Sequence, residues 1–188
     1  MESTLQNLDN FITEQNVLEY KKLNVFSYII GSWTLNEWIK KNPKNNISAI
    51  VYDRSPLQER VPFALNKDLP RLSRWFFGKI LREFSVTEYP SIIQAHLSIG
   101  IIIESKAANV MKKHKKTALS IGPVSWETNA LKQEHSDYYF TWLNHDEMYS
   151  RFDIIGEEIM QFFKTGAFSK TAQRVPFNED PFISFQEG

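Results

Sequence analysis

Apolar positions along this chain recur with two periods, and the switches between them mark out helices and strands. Leu5, Leu8 and Ile12 repeat at helical spacing behind Ser3 or Thr4, and the pattern runs on from Gln15 to Leu18, predicting a first helix from about Thr4 to Lys22. Val25 to Ile30 reads as a short strand. Thr34 caps a second helix, LNEWIKKN, that stops before Pro43. Ile47 to Tyr52, ISAIVY, is β-branched and apolar enough for a buried strand.

Further on, Asp68 is positioned as an N-cap and Pro70 falls in the first turn, where its missing N–H costs little. Leu69, Leu72, Trp75, Phe76, Ile80 and Phe84 then form a core-facing stripe and leave Arg71, Arg74 and Arg82 to solvent. After Pro90, SIIQAHLSIGIII supports one bent strand or two strands broken at Gly100. Ser105 caps a helix through His114. Thr117 to Trp126 alternates, with Leu119, Ile121 and Val124 apolar and Pro123 implying an edge or a bulge. It is predicted to pair with Tyr138 to Leu143, YYFTWL, as an antiparallel hairpin across the polar turn Glu127 to Asp137.

Asn144 and Glu147 have capping-box spacing. Met148, Phe152, Ile155, Ile159 and Phe162 step as one buried face of the last helix, which Lys164 and Gly166 close. Residues 167–188 carry prolines and phenylalanines and are expected to pack as an extended strap. Arg-Val-Pro-Phe occurs at 60–63 and again at 174–177, by chance or as two similar extended segments. Together these elements predict one α+β domain over 1–188, a mixed or antiparallel sheet flanked by four or five helices.

Composition changes the picture in a few places. A chain of 188 residues can bury a self-sufficient core, and 42% hydrophobic with 14% aromatic residues argues against disorder. The absence of cysteine removes disulfides, thiolate ligands and a cysteine nucleophile, and suits a reducing compartment. The N-terminus lacks a basic region followed by an apolar one, and the apolar run Ile99 to Ile103 is far shorter than a membrane span, so a cytoplasmic protein is expected.

The 22 basic and 22 acidic side chains cancel, so no overall field draws the molecule to nucleic acid or an anionic membrane. The cancellation hides a division. Five lysines and no acid lie from Lys106 to Lys116, whereas seven acids and one arginine lie from Glu134 to Glu158. These runs are either solvated faces or docking surfaces. On the second reading, Glu134, Asp137, Asp146, Glu147, Asp153, Glu157 and Glu158, with Tyr149 as an aromatic anchor, form an acidic surface for a basic protein partner. A rival places nucleic acid or an anion on Lys106, Lys112, Lys113, Lys115 and Lys116 with the arginines of the Asp68 helix.

Reaction chemistry is harder to find. His135, Asp137, His145, Asp146 and Glu147 fall within thirteen residues. A strand of about seven residues spans roughly 23 Å, so residues at its two ends cannot share one ion, and no metal or cofactor is expected. Gly31-Ser32 and Ser98-Ile99-Gly100 lack the features of a nucleophile elbow, and the 7 glycines do not cluster as a phosphate cradle. Glu157 and Glu158 point about 100° apart on a helix and make no acid/base dyad. An enzymatic rival is a hydrolase whose residues converge only in three dimensions, in a pocket of perturbed groups that could include His96 or His135.

One resemblance bears on the choice. An apolar strand at Ile101 to Ile103, a Ser-Lys-Ala-x-x-Val helix at Ser105 to Val110, a strand ending in Pro-Val at Leu119 to Val124, and a Tyr-Tyr strand leading to Asp153 resemble certain immunity proteins of bacterial polymorphic-toxin systems, contact-dependent or type VI secreted. The resemblance covers about 50 residues. It implies a cytoplasmic protein that binds and neutralises a cognate toxin with a basic effector domain, without catalysis or cofactor. No residue roles carry over with it.

Overall fold

The two isoleucine-rich runs form the middle of the molecule. The computed structural model describes residues 2–77, 82–84, 88–93, 96–177 and 180–183. Strands β1 (Leu23–Ser27), β2 (Ile47–Arg54), β3 (Ser98–Glu104) and β4 (Asp137–Thr141) make a four-stranded sheet in the order β1-β2-β3-β4, and every pairing is parallel. The sheet is therefore neither mixed nor antiparallel, and the fold is α/β, not α+β. Each strand-to-strand connection carries helix and returns the chain to the same end of the sheet, as parallel pairing requires. Central strands covered on both faces need apolar residues at successive positions, hence Ala49-Ile50-Val51-Tyr52 and Ile101-Ile102-Ile103, all nearly inaccessible.

Helix α2 (Ile29–Lys41) covers one face, where Leu35, Trp38 and Ile39 meet Ile50, Tyr52 and Ile99 together with Ile12 of α1 (Glu2–Glu14). The other face carries Ala49, Val51, Ile102 and Tyr139, which pack against Ile155, Ile159 and Phe162 of the last helix, Phe152–Thr165. The period-two alternation of a strand thus sends Asp53 and Glu104, at the ends of β2 and β3, to the face of that last helix.

Several expectations are corrected. The hairpin does not exist: α3 (Val61–Asp68) and α4 (Pro70–Phe77) lie between β2 and β3, and α5 (Asn109–Lys113) and α6 (Lys115–Leu119) between β3 and β4. Residues 115–119 are helical because Met111 and Ala118, seven apart, pack with Leu57 and Ala64, and this burial outweighs the alternation of Leu119 and Ile121, the latter exposed. Asp68 ends α3 and caps nothing; its carboxylate accepts from Thr117 Oγ1 and lies against His114 Nδ1, both at 2.7 Å. On α4 it is Ser73 that is buried, while Leu69, Leu72 and Trp75 are exposed. Phe84 is buried as expected; the Phe76 and Ile80 side chains lie outside the described set. The first helix stops at Glu14, before a left-handed Asn16, and α2 starts directly after β1, which leaves Thr34 in its interior. Of the two Arg-Val-Pro-Phe segments, 61–63 is helical and 174–177 is not.

Beyond the last helix, residues 168–174 run along the sheet. Phe168 packs on Tyr139 and Phe162, and the carbonyl of Gln173 accepts the Phe140 N–H at 2.8 Å, covering part of the outer edge of β4. Asp137 accepts the Phe168 N–H at 2.8 Å and binds Arg174 Nη1 at 2.8 Å, pinning the strap to the start of β4. Among the described residues no helix is long and apolar enough to cross a membrane.

Candidate metal centre

Parallel strands place all their carboxyl ends on one edge, and residues from distant parts of the sequence meet there. Asp53 ends the apolar run of β2, Glu104 closes β3, and His145 opens α7 (His145–Met148), the short helix after β4. One donor atom from each of the three lies within 4.8 Å of the others. Donors about 2.1 Å from a common ion stand roughly 3 to 4.2 Å apart, so side-chain movements under about 1 Å would close the set.

The local sequence fixes this arrangement. Asn144 accepts the Glu147 N–H at 3.0 Å while Glu147 accepts the Asn144 N–H at 2.9 Å, the predicted capping box, which sets where α7 starts and hence where His145 stands. Lys106 Nζ binds the same Glu147 carboxylate at 2.9 Å, and the Asn109 N–H reaches Asp146 at 3.3 Å. The segment after Glu104 is thereby tied to the helix that carries His145.

His145 Nδ1 lies 2.9 Å from Glu104 Oε1 and 3.6 Å from Asp53 Oδ2, so the first contact is a hydrogen bond and the second an ion pair too long to be one. Asp53 is fully buried, and among the described residues neither of its carboxylate oxygens has a hydrogen-bond partner. A buried carboxylate without donors is costly, and such groups normally pair or hold a cation. On its far side His145 Nε2 stands 3.3 Å from the Tyr149 hydroxyl, an outer contact of the kind that turns the opposite ring nitrogen towards a metal. Two carboxylates and one imidazole suit Mn2+ or Zn2+, and the side-chain set fits such an ion.

Electrostatics follow from burial. Desolvation raises the pKa of Asp53, and raises that of Glu104 well above the usual carboxylate range, with the Asp53 charge adding to the second. Burial works against a charged imidazole, but the two carboxylates facing it, Asp53 as an ion pair and Glu104 through a hydrogen bond, outweigh it and push His145 up to about 10. A group whose folded pKa is raised stabilises the protein fully below its unfolded pKa and loses that contribution as pH rises through the folded one. His145 thus contributes below about 6.5 and loses its share towards about 10. The melting temperature in EDTA should fall progressively over that interval, and His145→Asn should flatten the fall. A wild-type profile already flat from pH 6.5 to 10 would contradict the ion-paired imidazolium.

Beside His145 lies a cavity of about 70 Å³. Its walls are Ile29, Ile30 and Trp33 of α2, Val61 and Pro62 of α3, and Phe84; Gln58 and Glu59 are its other polar members.

The residues expected to form an acidic docking surface divide between two fates. Asp137 is spent on the strap and Glu147 on the capping box and Lys106, while Glu158 accepts from the backbone and hydroxyl of Ser169. Glu134, Asp146, Tyr149, Asp153 and Glu157 are exposed, with Asp153 beside Arg151 at 3.3 Å. Of the histidine segment, only His145 joins the centre. His96 is exposed, and His135 Nδ1 donates to the Gln133 carbonyl at 2.9 Å. Ser32 is buried within α2 and donates to the Ile29 carbonyl at 2.6 Å. Asp53 and Glu104 were not picked out from the sequence, although each is a carboxylate directly after an apolar run. Compared with family models, with curated proteins and with solved structures, the chain has no significant match.

Proposed function

We propose that this protein is a divalent-cation-dependent hydrolase whose centre is Asp53, Glu104 and His145. The observation that carries the reading is the fully buried Asp53 carboxylate, without hydrogen-bond partners and aimed at a second buried carboxylate and an imidazole. Three protein donors leave coordination positions for water and substrate, and a bound cation supplies Lewis acidity and lowers the pKa of water. Asp53 and Glu104 hold and neutralise the ion. His145 would offer Nδ1 to the ion after losing the proton there, with Nε2 left to the Tyr149 hydroxyl. The adjoining cavity gives a substrate a place next to the reacting atoms.

Titration with Mn2+ followed by electron paramagnetic resonance should show one site per chain in the wild type, and weakening of at least tenfold in Glu104→Gln, the scale on which a lost ligand is felt. Wild-type protein that leaves Mn2+ and Zn2+ free at millimolar concentration would sink the proposal.

A second reading, docking of the immunity type to a basic protein, is favoured by the exposure of Asp146, Tyr149, Asp153 and Glu157 within one stretch of two helices. It needs no cation. Charge reversal at Asp146, Asp153 and Glu157 should then weaken binding to a basic partner and flatten its salt dependence; unchanged affinity would remove this reading.

A further inference from the structure

The cavity beside His145 has features that select a ligand. Its walls are aliphatic or aromatic apart from Gln58, Glu59 and His145, and no lysine or arginine lines it among the described residues. Gln58 Oε1 is buried and has no hydrogen-bond partner among the described residues, so it offers an acceptor that a bound group can use. At about 70 Å³ the space is less than half of a cavity known to take benzene, and suits a branched group of three or four carbons.

The charges nearby point the same way. The Glu59 carboxylate is matched by the Arg54 guanidinium. A divalent ion would be balanced by Asp53 and Glu104. No full positive charge is then left over for a phosphate or carboxylate, and the first turn of α2 contributes only the partial charge of a helix start. Without the ion, the His145 imidazolium is already paired with Asp53 and Glu104, so the centre offers an anion no net positive charge.

We infer that this cavity is the substrate's acyl pocket, and that the substrates are uncharged esters or amides of short branched aliphatic acids. This rests on the hydrolase reading above. The aliphatic group packs against Ile29, Val61 and Phe84, the N–H of an amide donates to Gln58 Oε1 while a simple ester leaves that acceptor unused, and the acyl carbon faces the centre at His145. Water oxygen adds to that carbon, the C–O or C–N bond breaks, one water proton leaves on the alcohol or amine, and the other passes from the new carboxylic acid to solvent or to the amine. The carboxylate product carries the charge that the pocket does not hold, which favours its release.

Isobutyramide and isobutyrate share one shape and differ in charge and donor. Bound to the full-length protein in EDTA and followed through the Trp33 indole resonance, isobutyramide should bind in the millimolar range and isobutyrate at least about tenfold more weakly, as expected when a polar site meets the wrong partner. Gln58→Leu should weaken the amide about fivefold or more while leaving the circular dichroism spectrum intact. Val61→Trp should fill the cavity and abolish binding. Equal or tighter binding of isobutyrate, or no shift with isobutyramide, would overturn the assignment. Mn2+ binding measured on the same samples separates the two ideas: Mn2+ bound without the amide removes the acyl pocket and leaves the cation centre standing, whereas the amide bound without Mn2+ leaves a ligand pocket and removes the hydrolase.

Discussion

Replacing Asp53 by asparagine is expected to raise the melting temperature of the protein in EDTA and to abolish the rise that Mn2+ gives the wild type. Both effects come from one carboxylate. Asp53 is fully buried with no hydrogen-bond partner among the described residues, and the imidazole of His145 is shared with Glu104, which it approaches more closely. Because Glu104 still pairs the imidazolium, the substitution leaves no uncompensated buried charge and removes only the desolvation cost of a carboxylate without donors, a net gain of about 1–3 kcal/mol. For a chain of this size each kcal/mol moves the melting temperature by roughly 2–4 °C. With Mn2+ at about a hundred times its Kd, the wild type gains roughly 2.7 kcal/mol and Asp53→Asn almost nothing, so the order of the two proteins reverses. Thermal denaturation of both, in EDTA and in Mn2+, reads the crossing directly. Asp53→Asn melting below the wild type in EDTA, while keeping the Mn2+ response, would show that Asp53 is a structural carboxylate and not a ligand.

That residue also shows where sequence reasoning stopped. Isoleucine-rich runs, the Asn144 capping box, the left-handed Gly166 at φ 77° and the Ile155, Ile159, Phe162 face are local patterns, and all appear in the structure. Strand direction is not local. Whether β4 lies parallel or antiparallel to its neighbour depends on the route of the connection, and the alternation of Leu119, Ile121 and Val124 was outweighed by a helical packing face at Met111 and Ala118. The centre was hidden for a related reason. The length of β4 separates His135 and Asp137 from His145, and it says nothing of residues distant in sequence. Glu104 lies 41 residues before His145 and its carboxylate still reaches the imidazole. The one readable clue was that two apolar runs are each followed directly by an acid, and in a parallel sheet such strand ends converge.

Phe162→Ala is expected to be the most destabilising simple truncation on the face that carries the centre, and Gly100 explains why. Gly100 sits in β3 where the last helix and the strap come closest; a β-carbon there would stand 2.7 Å from Phe162 Cε2 and 2.8 Å from Phe168 Cζ. The strand therefore gives up a side chain so that two rings, 4.8 Å apart between centroids, can lie on its backbone. Removing the fully buried Phe162 ring should cost about 3–5 kcal/mol, on the order of 6–20 °C in melting temperature. Gly100→Ala overpacks the same spot and should cost about 1–3 kcal/mol. In the double variant the new methyl enters space the ring has left, so its cost should fall short of the sum, a coupling that denaturant midpoints of the four proteins can resolve. Additive losses, or a neutral Gly100→Ala, would refute this account of the contact. Gly100 and Glu104 are four residues apart along β3, about 13 Å. Phe162→Ala should accordingly keep its Mn2+ stabilisation while losing stability, the opposite of Asp53→Asn, and this separates packing of the sheet from the centre built at its edge.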